Sequence, residues 1–322
     1  MIILLLVLAA GLAGAFGFTA WRATEIERRY PNIGTLTDVG GFSMNALRIP
    51  AGPDADLPPI VFIHGASGNL RDQEAAFLAP LRGRAELLFI DRPGHGYSER
   101  GGAENATPDG QAAAIARLME KKGIDRAIIV GHSFGGAIAA SFALFHPDKV
   151  IGTLFLSPAT HPWPGGIDWH YHVASTPVLG WLFSHTLVMP AGMVLLDPAT
   201  RSVFAPNARR EAYVDEGAPA LVLRPDNFQD NAEDVANLLD YVTRIAPRYA
   251  EIECPAIIIT GDSDEVVTPG AVQKLVDKLR TQRHITIHHD VIPGANHFFA
   301  DEMPQLMQSV DGYLDMRLSG DR

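Results

Sequence analysis

Short runs of apolar residues alternate with helical patterns along most of the chain. These runs are Ile60-Val61-Phe62-Ile63, Leu87-Leu88-Phe89-Ile90, Ala127-Ile128-Ile129-Val130, Ile151 to Leu156 and Ala256 to Thr260. A run that is apolar at every position fits a strand buried on both faces, and strands that alternate with helices form a parallel sheet. The sequence therefore predicts an α/β fold with a mostly parallel central sheet flanked by helices.

The alternation of strands and helices stops between Pro158 and about Glu253. This stretch is rich in proline, contains helical patterns and has no run typical of a sheet strand. We interpret residues 158–253 as a helical lid, or cap, inserted between two late strands. The predicted α/β core is then residues 42–157 together with residues 254–322, and a linker over residues 22–41 precedes it.

The N-terminal segment is the most apolar part of the chain. Residues 2–20 contain no charge, and Thr19 is their only polar residue. At a rise of about 1.5 Å per residue, this helix would cross the roughly 30 Å hydrocarbon core of a bilayer. We predict a transmembrane anchor over residues 1–21. The alternatives are a signal peptide cleaved after Ala13-Gly14-Ala15, which would leave a secreted or periplasmic protein, and a buried core helix.

The charges that flank this segment bear on its orientation. Arg22, Arg28 and Arg29 all follow it, so the positive-inside rule favours the rest of the chain on the cytoplasmic side.

Composition excludes several classes of protein. The 322 residues carry a net charge of −11, which argues against a nucleic-acid partner because phosphate binding needs a basic face. The single cysteine excludes an intrachain disulfide and a cysteine-cluster metal site. The histidine-rich segments at residues 168–172 and 284–290 could suggest metal ligands. In the second, the adjacent His288 and His289 point to opposite faces of a probable strand, and no metal site is predicted in either.

The residues Val130-Gly131-His132-Ser133-Phe134-Gly135-Gly136 follow one of the apolar runs and begin a helix of small residues. This is a G-x-S-x-G pattern between a strand and a helix, where a sharp turn exposes the serine hydroxyl at the edge of the sheet. Ser133 is therefore the predicted nucleophile.

A serine hydroxyl needs a base within hydrogen-bond reach and a carboxylate that orients the base. After this kind of turn, the acid and then the histidine follow the serine along the chain. Asp264, directly after an apolar run, is the predicted acid, with Asp262 and Glu265 as alternatives. His297, in Gly294-Ala295-Asn296-His297-Phe298, is the predicted base.

Acyl transfer also needs two N–H groups aimed at the developing oxyanion. One is expected from Phe134, the residue after the nucleophile, and the other from Ala66 in the loop after the first apolar run. His64 is expected to brace that loop and to have no catalytic role.

In order and spacing, these motifs resemble those of the α/β-hydrolase superfamily, in the type with a helical lid. The resemblance also covers Asp91-Arg92-Pro93-Gly94-His95-Gly96-Tyr97-Ser98, in which Asp91 and His95 are scaffold residues in relatives. Asn296 departs from the family pattern, since relatives often have glycine before the histidine. The resemblance implies a serine hydrolase that works through an acyl-enzyme, without a metal or organic cofactor.

Several functions remain open within this family. Hydrolysis of a carboxylic ester with an apolar acyl group, as in carboxylesterases and lipases, is favoured. The apolar side chains expected to form the lid core or line the acyl pocket are Trp163, Trp169, Tyr171, Leu179, Trp181, Leu182, Phe183, Leu187, Met189 and Met193. The alternatives are a carbon–carbon bond hydrolase, a cofactor-free perhydrolase and a catalytically silent binding protein. A carbon–carbon bond hydrolase would need a cation for its substrate carboxylate, from among Arg201, Arg209, Arg210, Arg224, Arg244 and Arg248.

Overall fold

The structure is a computed structural model that describes residues 1–282, 284–299 and 304–311. It contains an 8-stranded sheet with the order β1-β2-β4-β3-β5-β6-β7-β8. The strands are β1 (Thr35–Asp38), β2 (Ser43–Ile49), β3 (Ile60–Ile63), β4 (Leu87–Ile90), β5 (Ala127–His132), β6 (Val150–Leu156), β7 (Ala256–Gly261) and β8 (Ile287–Ile292). The sheet is parallel from β4 to β8, and β2 pairs antiparallel with both of its neighbours, β1 and β4. This confirms the predicted mostly parallel α/β fold.

Helix α1 (Ile2–Arg29) contains the apolar N-terminal segment and continues well past it. Residues 2–14 of this helix are exposed, whereas Ile26 and the following Tyr30 are buried against helices from the middle of the chain. The segment interpreted as a linker, residues 22–41, is therefore structured: it contains the last turns of α1 and the whole of β1. These turns stay helical because Ala23, Ile26 and Tyr30 have apolar partners to pack against.

Three helices follow in the first half of the core: α2 (Leu70–Leu81), α3 (Pro108–Lys122) and α4 (Phe134–Phe145). α3 ends at Gly123, whose φ of 70° is the left-handed conformation that ends many helices. α4 is almost entirely buried and consists of small and apolar residues, which lets it pack closely against β5 and β6.

The segment between β6 and β7 is helical throughout its regular parts. It contains α5 (Trp169–Ala174), α6 (Pro177–Phe183), α7 (Met189–Val203), α8 (Tyr213–Gly217) and α9 (Pro225–Ile245), and a π-helical turn, Ser184–Val188, joins α6 to α7. We call residues 158–253 the inserted segment. Two helices of the described chain are long and apolar enough to cross a membrane, Ile2–Arg29 and the continuous Pro177–Val203.

The core closes with α10 (Pro269–Leu279) and β8, followed by a helix over residues 304–311. The final helix expected near Met303 to Leu318 lies partly outside the described residues. The site-bearing loops follow the C-terminal ends of β3, β5 and β7, and a further loop follows β8, so all of them meet at one edge of the sheet.

Candidate active site

Ser133 occupies a strained turn between β5 and α4. Its φ of 53° and ψ of −117° lie outside the usual regions for a residue with a side chain. A Cβ on Gly131 would collide with the carbonyl oxygen of Gly135, and a Cβ on Gly135 would collide with that of Ile63. The two glycines of the motif are therefore needed for the close approach of β3, β5 and α4, and the turn leaves the Ser133 side chain half-buried.

Asp264 and His297 are in contact. The Nδ1 atom of His297 lies 2.8 Å from Oδ2 of Asp264, and both residues are buried. The other carboxylate oxygen of Asp264 accepts hydrogen bonds from the N–H groups of Val266 and Val267, at 2.9 and 2.8 Å. Since a carboxylate only accepts, His297 carries its proton on Nδ1 and leaves Nε2 as the free basic atom.

The surroundings of Asp264 keep it ionised. Burial raises the pKa of its carboxyl group, but the hydrogen bond and charge of His297, with the Val267 N–H, outweigh burial and lower the pKa below its usual value. The competing acids lie elsewhere: Glu265 is exposed, and Asp262 is exposed and accepts a hydrogen bond from the N–H of Gly294 at 2.8 Å. Asp262 therefore holds the histidine loop by its backbone.

His297 lies beside the Ser133 turn. The ring of His132, next to Ser133 in the chain, lies 4.7 Å from the ring of His297, and its Nε2 donates to the carbonyl oxygen of His297 at 2.8 Å. Burial lowers the pKa of His132 to about 3, so it stays neutral. The structure shows no hydrogen bond between Ser133 and His297, two residues that it describes; catalytic hydrogen bonds often form only when substrate binds.

The sequence did not indicate two residues that position His297. One is His132, the variable residue of the G-x-S-x-G pattern. The other is Asn296, whose side chain donates to the carbonyl oxygen of Phe204 at 2.7 Å and accepts from the N–H of Phe298 at 2.9 Å. Asn296 thereby connects the histidine loop to the inserted segment, which accounts for an amide where relatives often have glycine.

The loop after β3 lies against Ser133. A Cβ on Gly65 would be 3.1 Å from the Cβ of Ser133. His64 is buried and braces this loop, as expected: its Nε2 accepts from the N–H of Arg92 at 3.1 Å, and its Nδ1 donates to the carbonyl oxygen of Gly65 at 2.8 Å.

Ala66 follows Gly65 and is exposed, and Phe134 begins α4. Within the part of the chain that the structure describes, the N–H groups of Ala66 and Phe134 have no protein acceptor. Because Phe134 follows Ser133 and Ala66 belongs to the loop that lies against it, these two unpaired N–H groups are candidates for an oxyanion hole.

A buried arginine connects this loop to the inserted segment. Arg92 donates to Oδ2 of Asp234 on α9 at 2.7 Å and to the carbonyl oxygen of Gly65 at 3.2 Å, and its guanidinium lies 4.4 Å from the centre of the Phe134 ring. Burial lowers the pKa of Arg92 to about 10, and the Asp234 charge opposes the shift. The Arg92–Asp234 pair thus holds α9 against both sides of the nucleophile turn.

Asp72, in the first turn of α2, lies under the same loop. Burial raises the pKa of its carboxyl group to about 7, although the N–H of Asn69 favours the charged form. Between about pH 4 and pH 7, the Asp72 carboxyl group is ionised in the unfolded chain and protonated in the folded chain. The folded state therefore loses stability as pH rises through this range.

Asp72→Asn removes this penalty and keeps the side-chain oxygen. We expect the free energy of unfolding at pH 8 to rise by about 1–3 kcal/mol, with no gain at pH 4. Denaturant titrations in detergent at both pH values measure the difference, and Asp54→Asn at an exposed site is the control. An equal gain at both pH values would contradict the protonation argument.

Comparison with known proteins identifies the family. The α/β-hydrolase fold family matches residues 58–181. The chain is 33% identical over 281 residues to an sn-1-specific diacylglycerol lipase of Mus musculus, covering 81% of this chain and 82% of that protein. The protein belongs to the α/β-hydrolase superfamily.

Two further similarities differ in extent. The chain is 36% identical over 123 residues to the dihydrolipoyllysine-residue acetyltransferase component of the acetoin cleaving system of Cupriavidus necator, and it spans only 31% of that protein. The solved structure of Est816, described as an N-acyl homoserine lactone degrading enzyme, aligns with a TM-score of 0.61 at 25% identity, over 86% of this chain and 98% of that one.

Proposed function

We propose that the protein is a serine hydrolase that cleaves a carboxylic ester through an acyl-enzyme on Ser133. The observation that carries the proposal is the 2.8 Å contact between His297 and a buried, ionised Asp264, beside a strained Ser133. The similarity to a diacylglycerol lipase and to an enzyme described as degrading N-acyl homoserine lactones supports this choice within the family.

In the proposed mechanism, Ser133 Oγ attacks the ester carbonyl while Nε2 of His297 takes its proton. The negative oxygen of the tetrahedral intermediate accepts hydrogen bonds from the N–H groups of Ala66 and Phe134. His297 returns the proton to the departing alcohol, and the acyl-enzyme remains. Water, deprotonated by His297, then releases the acid and regenerates Ser133, while Asp264 keeps the imidazole in its working tautomer.

The substrate is proposed to be an uncharged ester with a short to medium apolar acyl group. A series of nitrophenyl esters from acetate to dodecanoate tests this with the full chain in detergent. We expect turnover with a clear optimum of kcat/KM within the series, and only the background rate with Ser133→Ala. No turnover above background at any chain length would contradict the proposal.

The carbon–carbon bond hydrolase is the less favoured alternative. It would need a cation in the site, yet acidic partners lie within 2.9 Å of most of the arginines considered. These pairs are Arg201–Asp197, Arg209–Asp197, Arg210–Glu216, Arg224–Glu27 and Arg248–Glu251. Of these six arginines, only Arg244 has no acidic partner among the residues that the structure describes, and it lies over the Tyr241 ring.

We also propose that α1 anchors the protein in a membrane. Its exposed first half is free of charge, and Trp21 and Arg22 follow at the position of an interface. The inserted segment packs on the second half: the ring of Phe16 lies 5.3 Å from the ring of Trp181. The uncharged run of residues 2–20 is longer than the roughly 7–15 residues of a signal peptide's apolar region, so the helix is proposed to be retained.

A further inference from the structure

The inserted segment contains a long run without charge. From Trp169 to Leu196 there is no Asp, Glu, Lys or Arg, and Asp168 and Asp197 border the run on either side. The sequence predicts that such side chains form the segment's own core or line a pocket. The structure instead leaves most of them on the surface: Trp169, Val178, Leu179, Trp181, Leu182, Leu187, Met193, Val194 and Leu195 are exposed.

We call these residues the apolar face of the inserted segment. Val178 and Val194 expose 78% and 74% of their surface, more than the scattered apolar residues of a soluble surface require. Exposed apolar side chains that are concentrated on one segment mark a site of contact with a membrane or a protein.

The apolar face is continuous with α1. Phe16 of α1 packs on Trp181 and His185, and Arg22 lies 3.4 Å from the sulfur of Met193. The helix crosses the π-helical turn between α6 and α7, where Thr19 and Ser184 are both buried. The position of α1 in a bilayer therefore determines the depth of the apolar face.

That depth follows from the helix rise. If residues 2–20 cross the hydrocarbon core, Phe16 lies four residues, or about 6 Å, inside its boundary. Trp181, which packs on Phe16, then lies at a similar depth. Elements that lie in the membrane interface bury their apolar faces by roughly 5–10 Å, so the depth of Trp181 matches that of an interfacial helix.

We propose that the apolar face docks into the lipid bilayer that α1 enters, so that α6 and α7 lie in the interfacial layer. The bilayer is favoured over a second copy of the chain because the anchor itself brings this face to the lipid. The inserted segment is then a second, monotopic membrane contact, distinct from the anchor.

This placement also connects the lipid to the active site. Tyr171 lies two residues from the exposed Trp169 on α5 and interacts with Ser67 and Asn231, beside Ala66. The Ser67 N–H in turn donates to Asn231 at 2.7 Å. The substrate class that follows is an ester dissolved in the bilayer; this second part rests on the proposed function.

Tryptophan quenching tests the docking without any reference to catalysis. The full chain is reconstituted in phosphatidylcholine–phosphatidylglycerol vesicles with brominated acyl chains, using variants that retain one tryptophan each and have phenylalanine at the others. We expect bromine to reduce Trp181 emission about twofold or more, as it does for Trp21, because both lie in the bilayer. Trp163, packed against the α/β core, is the unquenched control.

Quenching of Trp21 without quenching of Trp181 would overturn the docking and leave the anchor. If Trp181 stayed unquenched and dimers could be cross-linked through residues 178–195, the apolar face would contact a second copy of the chain. That outcome would also overturn docking into the bilayer.

Activity ratios test the substrate class. Val194→Asp with Leu195→Asp is expected to lower the rate on a long-chain ester dissolved in vesicles, relative to a water-soluble ester, by about tenfold. Leu36→Asp, exposed on β1, is the matched control and should leave this ratio unchanged. An unchanged ratio of the two rates in the double variant would overturn the proposal of a bilayer substrate. If the unmodified chain hydrolysed neither ester, the proposed function itself would be contradicted instead.

Discussion

Ser133→Ala is expected to lower kcat by about 10⁴-fold or more while the protein stays folded. The alanine keeps the Cβ that the turn already accommodates and removes only Oγ, which has no hydrogen-bond partner among the described residues. The covalent route is lost because the proposed acyl-enzyme forms on this oxygen.

Ester hydrolysis by the purified full chain measures this effect, and the unfolding midpoint checks the fold. Ser263→Ala is a suitable control, since Ser263 lies in the acid loop and donates to Asp262 at 2.8 Å. Activity of Ser133→Ala within tenfold of the unmodified protein would contradict the nucleophile assignment.

Asp264→Asn is expected to lower kcat by about 10³–10⁴-fold. The asparagine can keep the hydrogen bonds from Val266 and Val267, but its NH₂ group can face Nδ1 of His297. A donor in that position favours the tautomer with the proton on Nε2, which can no longer take the proton of Ser133. The loss of the carboxylate charge also removes the stabilisation of the imidazolium that forms during attack.

Asp262→Asn is the matched control, because it makes the same change two residues away on the same loop. Asp262 contacts the backbone of Gly294 and not the imidazole, so we expect only a few-fold loss. If Asp262→Asn lost as much activity as Asp264→Asn, the acid of the proposed triad would be misassigned.

The sequence predicted the central part of the fold because each parallel strand is short, fully buried and therefore apolar at every position. The antiparallel strands β1 and β2 were not predicted. β1 reads Thr35-Leu36-Thr37-Asp38 at the edge of the sheet, where Leu36 is exposed, so no buried run marks it.

Ser133, Asp264 and His297 could be proposed from the sequence because each follows a strand, in the order serine, acid, histidine. The residues that hold these three side chains in place could not be predicted from the sequence. The hydrogen bond of Asn296 to Phe204 and the ion pair of Arg92 with Asp234 join positions more than 90 residues apart, and no local pattern reports such pairs.

The sequence could not predict which side of the inserted segment is exposed. Between Trp169 and Leu196 apolar residues occur on all sides of the helices, so periodicity alone does not distinguish a core face from a lipid face. The structure distinguishes them through α1, which covers one side of the π-helical turn and leaves Val178, Val194 and Leu195 exposed.

Labelling with a fluorophosphonate tests the central claim most directly, because this reagent bonds covalently to a serine that an adjacent base activates. Membrane and soluble fractions of cells that produce the full chain are labelled, and the modified residue is located by mass spectrometry. We expect a single label on Ser133, in the membrane fraction, that is absent in Ser133→Ala and strongly reduced in Asp264→Asn. A folded protein that takes no label, or takes it on another serine, would contradict the proposed function.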